Sequence, residues 1–293
     1  MIEANGDDKI DYLYAGDLKG NVWKFDVSGA TTASWKVGLS PLPLTPNPLF
    51  KARDASNNPQ PITAPITVAV NTDLADANAG KRFLFFGTGS YFRTGDPTNT
   101  AIQTWYGVID EGSVIADRSN LQPRTVEATG TFAGKPVRAF SVAGTNDMAG
   151  KSGWYLDFTT APPGERMVTE PVAYKLAVNV LVASSIIPSG SDPCVPGGTG
   201  YVNALNPFTG GSLGVGILDV NNNKNYKDDV LSGLFIGSVD LGVGLPSRPT
   251  LIGNRLVVGG TNPDDKNPIS DVGVNLGLPP LKGRISWREI IKD

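Results

Sequence analysis

Histidine is absent from this 293-residue chain. That gap removes Ser–His–Asp triads, Cys–His dyads and imidazole metal sites together. Cysteine occurs once, at Cys194, so no internal disulfide can form and no more than one thiolate could reach a metal. Such a thiol reads as a buried or unpaired side chain before a reactive one. No apolar run approaches the roughly twenty residues needed to cross a bilayer. The first residues, Met1 to Asp11, are acidic where an export signal would be basic and then apolar. The expectation is a chain with neither an export signal nor a transmembrane anchor of its own. The formal net charge is only −3 and the basic residues are scattered, which leaves no footprint for a phosphate backbone or an anionic membrane, so nucleic acid is not an expected partner.

What is plentiful is glycine, 35 residues, and proline, 23 residues. Both break long helices and suit short strands joined by turns, so an all-β architecture is expected. A pattern occurs three times in which a Pro-containing apolar strand is followed by a turn and a second apolar strand ending in small residues. The copies are Ile62 to Val70 with Arg82 to Gly89, Val168 to Tyr174 with Val180 to Ser184, and Pro246 to Ile252 with Arg255 to Gly260. A second pattern alternates with it, small-Gly-x-x-Gly followed by alternating apolar residues and an Asp or Asn. It is clearest at Ala15 to Asp26, looser at Gly198 to Asn206, and varied at Thr104 to Asp110.

The two hairpin types together make four-stranded blades, because a blade packs on both faces and needs a nearly continuous apolar strand near its centre. Pro65, Pro171 and Pro249 fit the first position of a strand or an edge, where a missing N–H breaks no ladder bond. The expected fold is therefore a β-propeller with quinoprotein-dehydrogenase-like blades, incomplete at about four to five blades. It is read as a single region, 1–293, forming the later, C-terminal part of a longer propeller. The polar or Pro-rich stretches Leu39 to Pro61, Asp117 to Gly150, Pro188 to Gly198 and Asn262 to Lys282 are expected to be loops. Trp23, Trp105, Trp154 and Tyr155 are expected to pack between blades, and the tail Ile285 to Ile291 to seal the core as a strand or short helix.

Two loops carry candidate metal ligands. In the first, Glu3, Asn5, Asp7 and Asp11 place oxygen-bearing side chains at alternate positions, with the Lys9 carbonyl between them and Gly6 at the bend. A hard cation such as Ca2+ takes six to eight oxygens, and a tight loop of this spacing brings them to one centre. Glu3 stands where a shorter Asp would pack more tightly, which lowers affinity. The alternative is a solvated acidic turn with no metal. The second loop presents Asp219, Asn221, Asn223, Asn225 and Asp228. Its alternation slips at Lys227, and it reads equally as a weak calcium site or a polar turn. Asn262 to Asp271 reads as a plain loop.

The run Asp11 to Asp26 after an acidic loop resembles the PilY family of type IV pilus biogenesis proteins. So do Pro48 to Asp54 with Gln60 to Thr63, Phe86 to Phe92, and Gly283 to Glu289, in the same order. The resemblance implies a modified propeller at the C-terminal end of a much larger secreted protein. That protein would act at the periplasm, outer membrane surface or pilus tip of a Gram-negative bacterium. Expected partners are minor pilins, pilus tip components and a host surface, with calcium held by Glu3, Asn5, Asp7, the Lys9 carbonyl and Asp11. The expected function is a calcium-binding, non-catalytic module in pilus assembly, retraction control and adhesion.

The competing reading is a quinone-dependent dehydrogenase, whose blades share the Gly-x-x-Gly pattern seen at Gly197 to Asn206 and which needs calcium and an acid beside the quinone. A glycan-cleaving propeller would need two carboxylates facing one pocket. Asp157, Glu170 and Asp240 are the acids to place for that reading.

Overall fold

The computed structural model describes residues 2, 6–39, 46–189, 197–262 and 268–277. Strands make up 41% of it and helix 4%, all of the helix as single 3-10 turns. The strands form four sheets of blade type, none closed on itself, and one small hairpin.

The first sheet holds β1 (Tyr12–Gly16), β2 (Asn21–Asp26), β3 (Lys36–Val37) and β4 (Phe50–Lys51), the last two both pairing with β2. The second runs from β5 (Thr67–Val70) through β6 (Arg82–Gly87), β7 (Thr104–Asp110) and β11 (Gly153–Asp157) to β8 (Gln122–Arg124). The third has six strands in the order β12 (Val172–Lys175), β13 (Asn179–Ser189), β14 (Gly197–Leu205), β18 (Ser238–Val239), β10 (Lys135–Phe140) and β9 (Val126–Phe132). The fourth is β15 (Leu218–Asp219), β21 (Ile269–Val274), β20 (Arg255–Gly259) and β19 (Thr250–Ile252). A hairpin of β16 (Val230–Leu231) and β17 (Leu234–Phe235) joins no larger sheet and packs against β9 and β10, with Leu231 next to Gly130.

Alternation in the second strand of each blade explains the stacking. On β6, Phe83 and Phe85 pack with Phe140, Leu181, Ala183 and Leu205 of the third sheet, whereas Leu84 and Phe86 pack with Val22 and Phe50 of the first. On β13 the same alternation sends Leu181 and Ala183 toward the second sheet and Val180 and Val182 toward Leu218, Leu256, Val258 and Val272 of the fourth. A strand buried on both faces reads as a continuous apolar run, which is what made these strands visible in the sequence. Each such Phe or Leu contributes about 1.5–3 kcal/mol by burial.

The blade repeat is thus borne out, and the prolines stand where expected: Pro171 and Pro249 directly precede the inner strands β12 and β19, and Pro65 comes two residues before β5. The first sheet departs from the pattern. β1 corresponds to β6, β13 and β20, yet its inner side carries only an isolated bridge from Ile2 to Tyr12 among the described residues. Its residues are accordingly only partly buried, while Phe83 to Gly87 are wholly buried.

Trp105 and Trp154 are fully buried and meet edge to face at 5.9 Å. Trp23 and Tyr155 are half-buried; Trp23 donates its indole N–H to Asp17, and Tyr155 lies under the Arg118 guanidinium at 4.0 Å. The expected loops are corrected in part. The stretch 39–61 supplies β4, 117–150 supplies β8, β9 and β10, 188–198 holds the end of β13 and the start of β14, and 262–282 supplies β21. Sparse Val126, Ala128 and Phe132 among Thr and Gly gave β9 too little apolar contrast to register. Its turn, Ala133 and Gly134 with φ of 49° and 76°, lacks the Asn or Asp that usually marks such a hairpin. Cys194 and the tail Ile285 to Ile291 lie outside the described residues.

Candidate metal centre

The first loop is held closed at its base. Ile2 N–H donates to the Tyr12 carbonyl at 2.9 Å, Asp11 N–H donates to Ile2 at 2.8 Å, and Val27 N–H donates to the Asp11 carbonyl at 2.8 Å. Asp11 is buried at this base, whereas Gly6 to Lys9 are exposed. Gly6 takes φ of 82° and Asp8 φ of 61°, so the chain reverses tightly here. Asp7 accepts the Lys9 backbone N–H at 3.0 Å and its ammonium at 3.3 Å. Glu3 and Asn5, the other two side-chain ligands expected, lie outside the described residues.

The second loop joins β15 to β16, and its geometry follows from its Asn and Asp content. Asp219 sits buried at the end of β15, where Oδ1 accepts the Asn223 N–H and Oδ2 the Lys224 N–H, both at 3.0 Å. Asn221 and Asn223 each accept a backbone N–H two residues on, at 3.1 and 2.7 Å. Such Asx turns curl the chain around its own side chains. Asn222 and Lys224 adopt φ of 64° and 65°, the left-handed conformation that the curl demands. Tyr226 pins the loop to β21 by donating its hydroxyl to the Val274 carbonyl at 3.0 Å. On the outside, Arg255 donates to Asn222 at 3.0 Å.

The loop's far end brings in Asp228 and Asp229. Asp228 Oδ2 receives the side-chain amides of Asn223 and Asn225 at 2.7 and 3.1 Å. Asp229, 1% exposed, receives the Val220 N–H on Oδ1 at 2.8 Å. The remaining oxygens, Asp228 Oδ1 and Asp229 Oδ2, are buried without a hydrogen-bond donor among the described residues. Burial pushes the Asp229 carboxyl above the ordinary carboxylate range, and the nearby Asp219 and Asp228 charges add to this against the backbone N–H groups that favour the anion.

A buried carboxylate oxygen with no donor is costly. Here two of them stand in a loop rich in carboxylate and amide oxygens, the donors that suit Ca2+, alongside Lys224 and Lys227. Among the described residues no three carboxylates or thiolates gather by themselves around one point, so amide and backbone oxygens would have to complete any coordination shell. The structure brings the side-chain amides of Asn223 and Asn225 to Asp228 and the Asn223 N–H to Asp219, while the side-chain oxygens of Asn221, Asn223 and Asn225 each accept a backbone N–H two residues on. Asp229 was missed from sequence. Its only signal is the Asp-Asp pair, and spacing alone could not show which member turns inward.

The acids of the competing readings do not share a site. Asp157 pairs with Arg118 at 2.5 Å, Glu170 with Arg248 at 3.2 Å, and Asp240 accepts the Gly242 N–H at 2.8 Å. Asn262 lies at the start of a stretch whose residues 263–267 are outside the described set, and Ile269 to Asp271 belong to β21 rather than to a loop.

A family profile described as the PilY1 beta-propeller domain matches residues 1–128. A type IV pilus biogenesis factor PilY1 homolog from Xylella fastidiosa is 34% identical over 291 residues, covering 96% of this chain and 21% of that protein. The type IV pilus biogenesis factor PilY1 of Pseudomonas aeruginosa strain PAO1 is 28% identical, covering 99% of this chain and 27% of that protein. The chain therefore spans about a quarter or less of the length of these relatives. The crystal structure of the Pseudomonas aeruginosa PilY1 C-terminal domain superposes with a TM-score of 0.68 at 25% identity, over 92% of this chain and 58% of that one. The blade order, the motifs in sequence and these matches agree, and the chain belongs to the PilY family of type IV pilus biogenesis proteins, within its propeller region.

Proposed function

We propose that this chain is a calcium-binding, non-catalytic propeller module, the C-terminal region (1–293) of a longer type IV pilus assembly, retraction-control and adhesion factor. One observation carries the calcium reading: Asp228 Oδ1 and Asp229 Oδ2 are buried without donors among the described residues, beside Asp219 in a loop rich in carboxylate and amide oxygens. A bound divalent cation would satisfy both oxygens and relieve the mutual repulsion of the carboxylates. The first loop is the second site of this reading, with Asp7, Asp11 and the Lys9 carbonyl as its described members.

The pilus role is supported by the printed names of the relatives, which are pilus biogenesis factors. Its partners are then minor pilins and other tip components, with a host surface as a further contact, and its place is the periplasm, outer membrane surface or pilus tip. A non-catalytic role is supported by the ion pairs that occupy Asp157 and Glu170.

Titration calorimetry with CaCl2 on the wild type, Asp229→Ala and Asp7→Ala tests the metal reading. The expected result is loss of one binding event in each variant. No heat in the wild type, or unchanged binding in both variants, would sink it. For the pilus role, deleting the gene in its host and counting surface pili by electron microscopy is decisive, since unchanged piliation contradicts it.

A further inference from the structure

The third sheet ends on strands that the blade repeat does not call for. β9 and β10 arise between β7 and β11, which pair in the second sheet, yet they join the third, with β10 docking on β18. Insertions into a repeat architecture are where extra contacts are built. On its other side β9 has no hydrogen-bonded strand among the described residues; the β16–β17 hairpin instead covers one face of it, Leu231 lying against Gly130.

The direction of its backbone groups follows from two hydrogen bonds. Gly237 N–H donates to the Arg138 carbonyl at 3.0 Å and Asp240 N–H to the Pro136 carbonyl at 2.9 Å, so these two residues of β10 turn their backbone toward β18. Alternate residues of a strand turn to opposite sides. Val137 and Ala139 therefore face β9 and bond their register partners Gly130 and Ala128. Thr129 and Thr131 are left with their N–H and C=O groups at the open edge, and both are exposed.

Natural edges are blunted by shortness, proline or lysine. β8 has three residues and carries Pro123, β12 has four and ends in Lys175, β19 has three, and β3, β4 and β15 have two. β9 has seven residues, no proline and a single charge, Glu127. It is the longest edge strand among the described residues.

We propose that the outer edge of β9 docks an extended segment of another polypeptide, added antiparallel as a further strand, with a lysine or arginine set opposite Glu127. Main-chain hydrogen bonds to Thr129 and Thr131 supply the attachment and the Glu127 pairing sets the register. A second copy of the chain fits less well. Pairing β9 with itself about Thr129 sets Glu127 against Thr131 and leaves the charge unanswered. A strand roughly 20 Å long also offers far less than the about 1,200 Å² of a stable interface.

The test uses a labelled, end-capped peptide, Thr-Val-Thr-Val-Thr-Lys-Thr, whose lysine faces Glu127 in the antiparallel register, read by fluorescence anisotropy and amide hydrogen exchange. Saturable binding with slowed exchange at Thr129 and Thr131 is expected. Thr129→Pro removes an outward N–H without touching a bond to β10, and Glu127→Lys opposes the peptide charge while keeping every amide. Each should weaken binding about tenfold or more. Methylating the backbone nitrogens of the second, fourth and sixth peptide residues should abolish binding, and methylating the third and fifth should not. Absent binding, protection elsewhere in the chain, or unchanged affinity in Glu127→Lys would overturn the proposal. So would concentration-dependent protection of β9 without peptide alongside a dimer in ultracentrifugation, which would assign the edge to a second copy.

Discussion

Arg138 and Glu165 form an ion pair at 2.7 Å in which the side chains are 2% and 0% exposed. Nη1 of the arginine reaches both carboxylate oxygens, and Ser185 donates to the same carboxylate. The pair is the charged centre of a polar row that runs on through Asn203 to Ser238, across strands of the third sheet. Tyr201 closes it, its ring centroid 3.6 Å from the guanidinium carbon.

Glu165→Ala removes the carboxylate in contact with that buried guanidinium and leaves it only the charge of Asp240 farther off, and the expected cost is about 3–5 kcal/mol in urea unfolding. Replacing both partners by apolar residues of similar volume should recover most of the loss. Equal losses in the single and double variants would contradict this account.

Asp96 governs the acid limit of the loop between β6 and β7. Burial pushes its carboxyl up, yet hydrogen bonds from the Ser90 hydroxyl and the Phe92 and Arg93 amides hold it below the ordinary 3.8. The unfolded chain therefore takes up this proton first as pH falls. The stabilisation is complete above the ordinary value and disappears as pH drops through the folded-state value. Asp96→Asn should be less stable at pH 7 and lose less than the wild type on acidification, as measured by thermal melts between pH 7 and pH 3.

Gly210 lies against the Trp154 indole with φ of 70°, and an added Cβ would stand 2.3 Å from Cδ2. Gly210→Ala must shift the ring or the turn, at a cost of about 1–3 kcal/mol. Because Trp154 also donates to the Pro207 carbonyl at 2.7 Å, its fluorescence should change with the loss of stability.

Calcium should raise the melting temperature of the wild type, since a ligand at a hundred times its Kd stabilises by about 2.7 kcal/mol, and EDTA should reverse the gain. Asp229→Ala should blunt the response most, because its carboxylate is the most buried member of the second loop. A calcium response untouched by Asp229→Ala and removed by Asp7→Ala would move the main site to the first loop.

How much was legible follows from which residues carried contrast. Phe83 to Phe86 and Val180 to Ala183 are apolar without interruption because both faces are buried, so their strands showed plainly. β9 could not show, since its outer residues face solvent. The second loop's Asp219 and its asparagines were visible by spacing, but the inward turn of Asp229 depends on Val220 and the end of β15 lying above it.

The sequence by itself determined the all-β repeat, the inner-strand prolines, the exclusion of histidine chemistry and the family, because these rest on local periodicity, residue type and the order of motifs. Only the tertiary structure decided that the hairpin between β7 and β11 crosses to the third sheet, that β9 ends that sheet among the described residues, and that two carboxylate oxygens are buried without donors among them. Each of these depends on which distant strand lies alongside, and pairing across sheets leaves no mark in the local pattern.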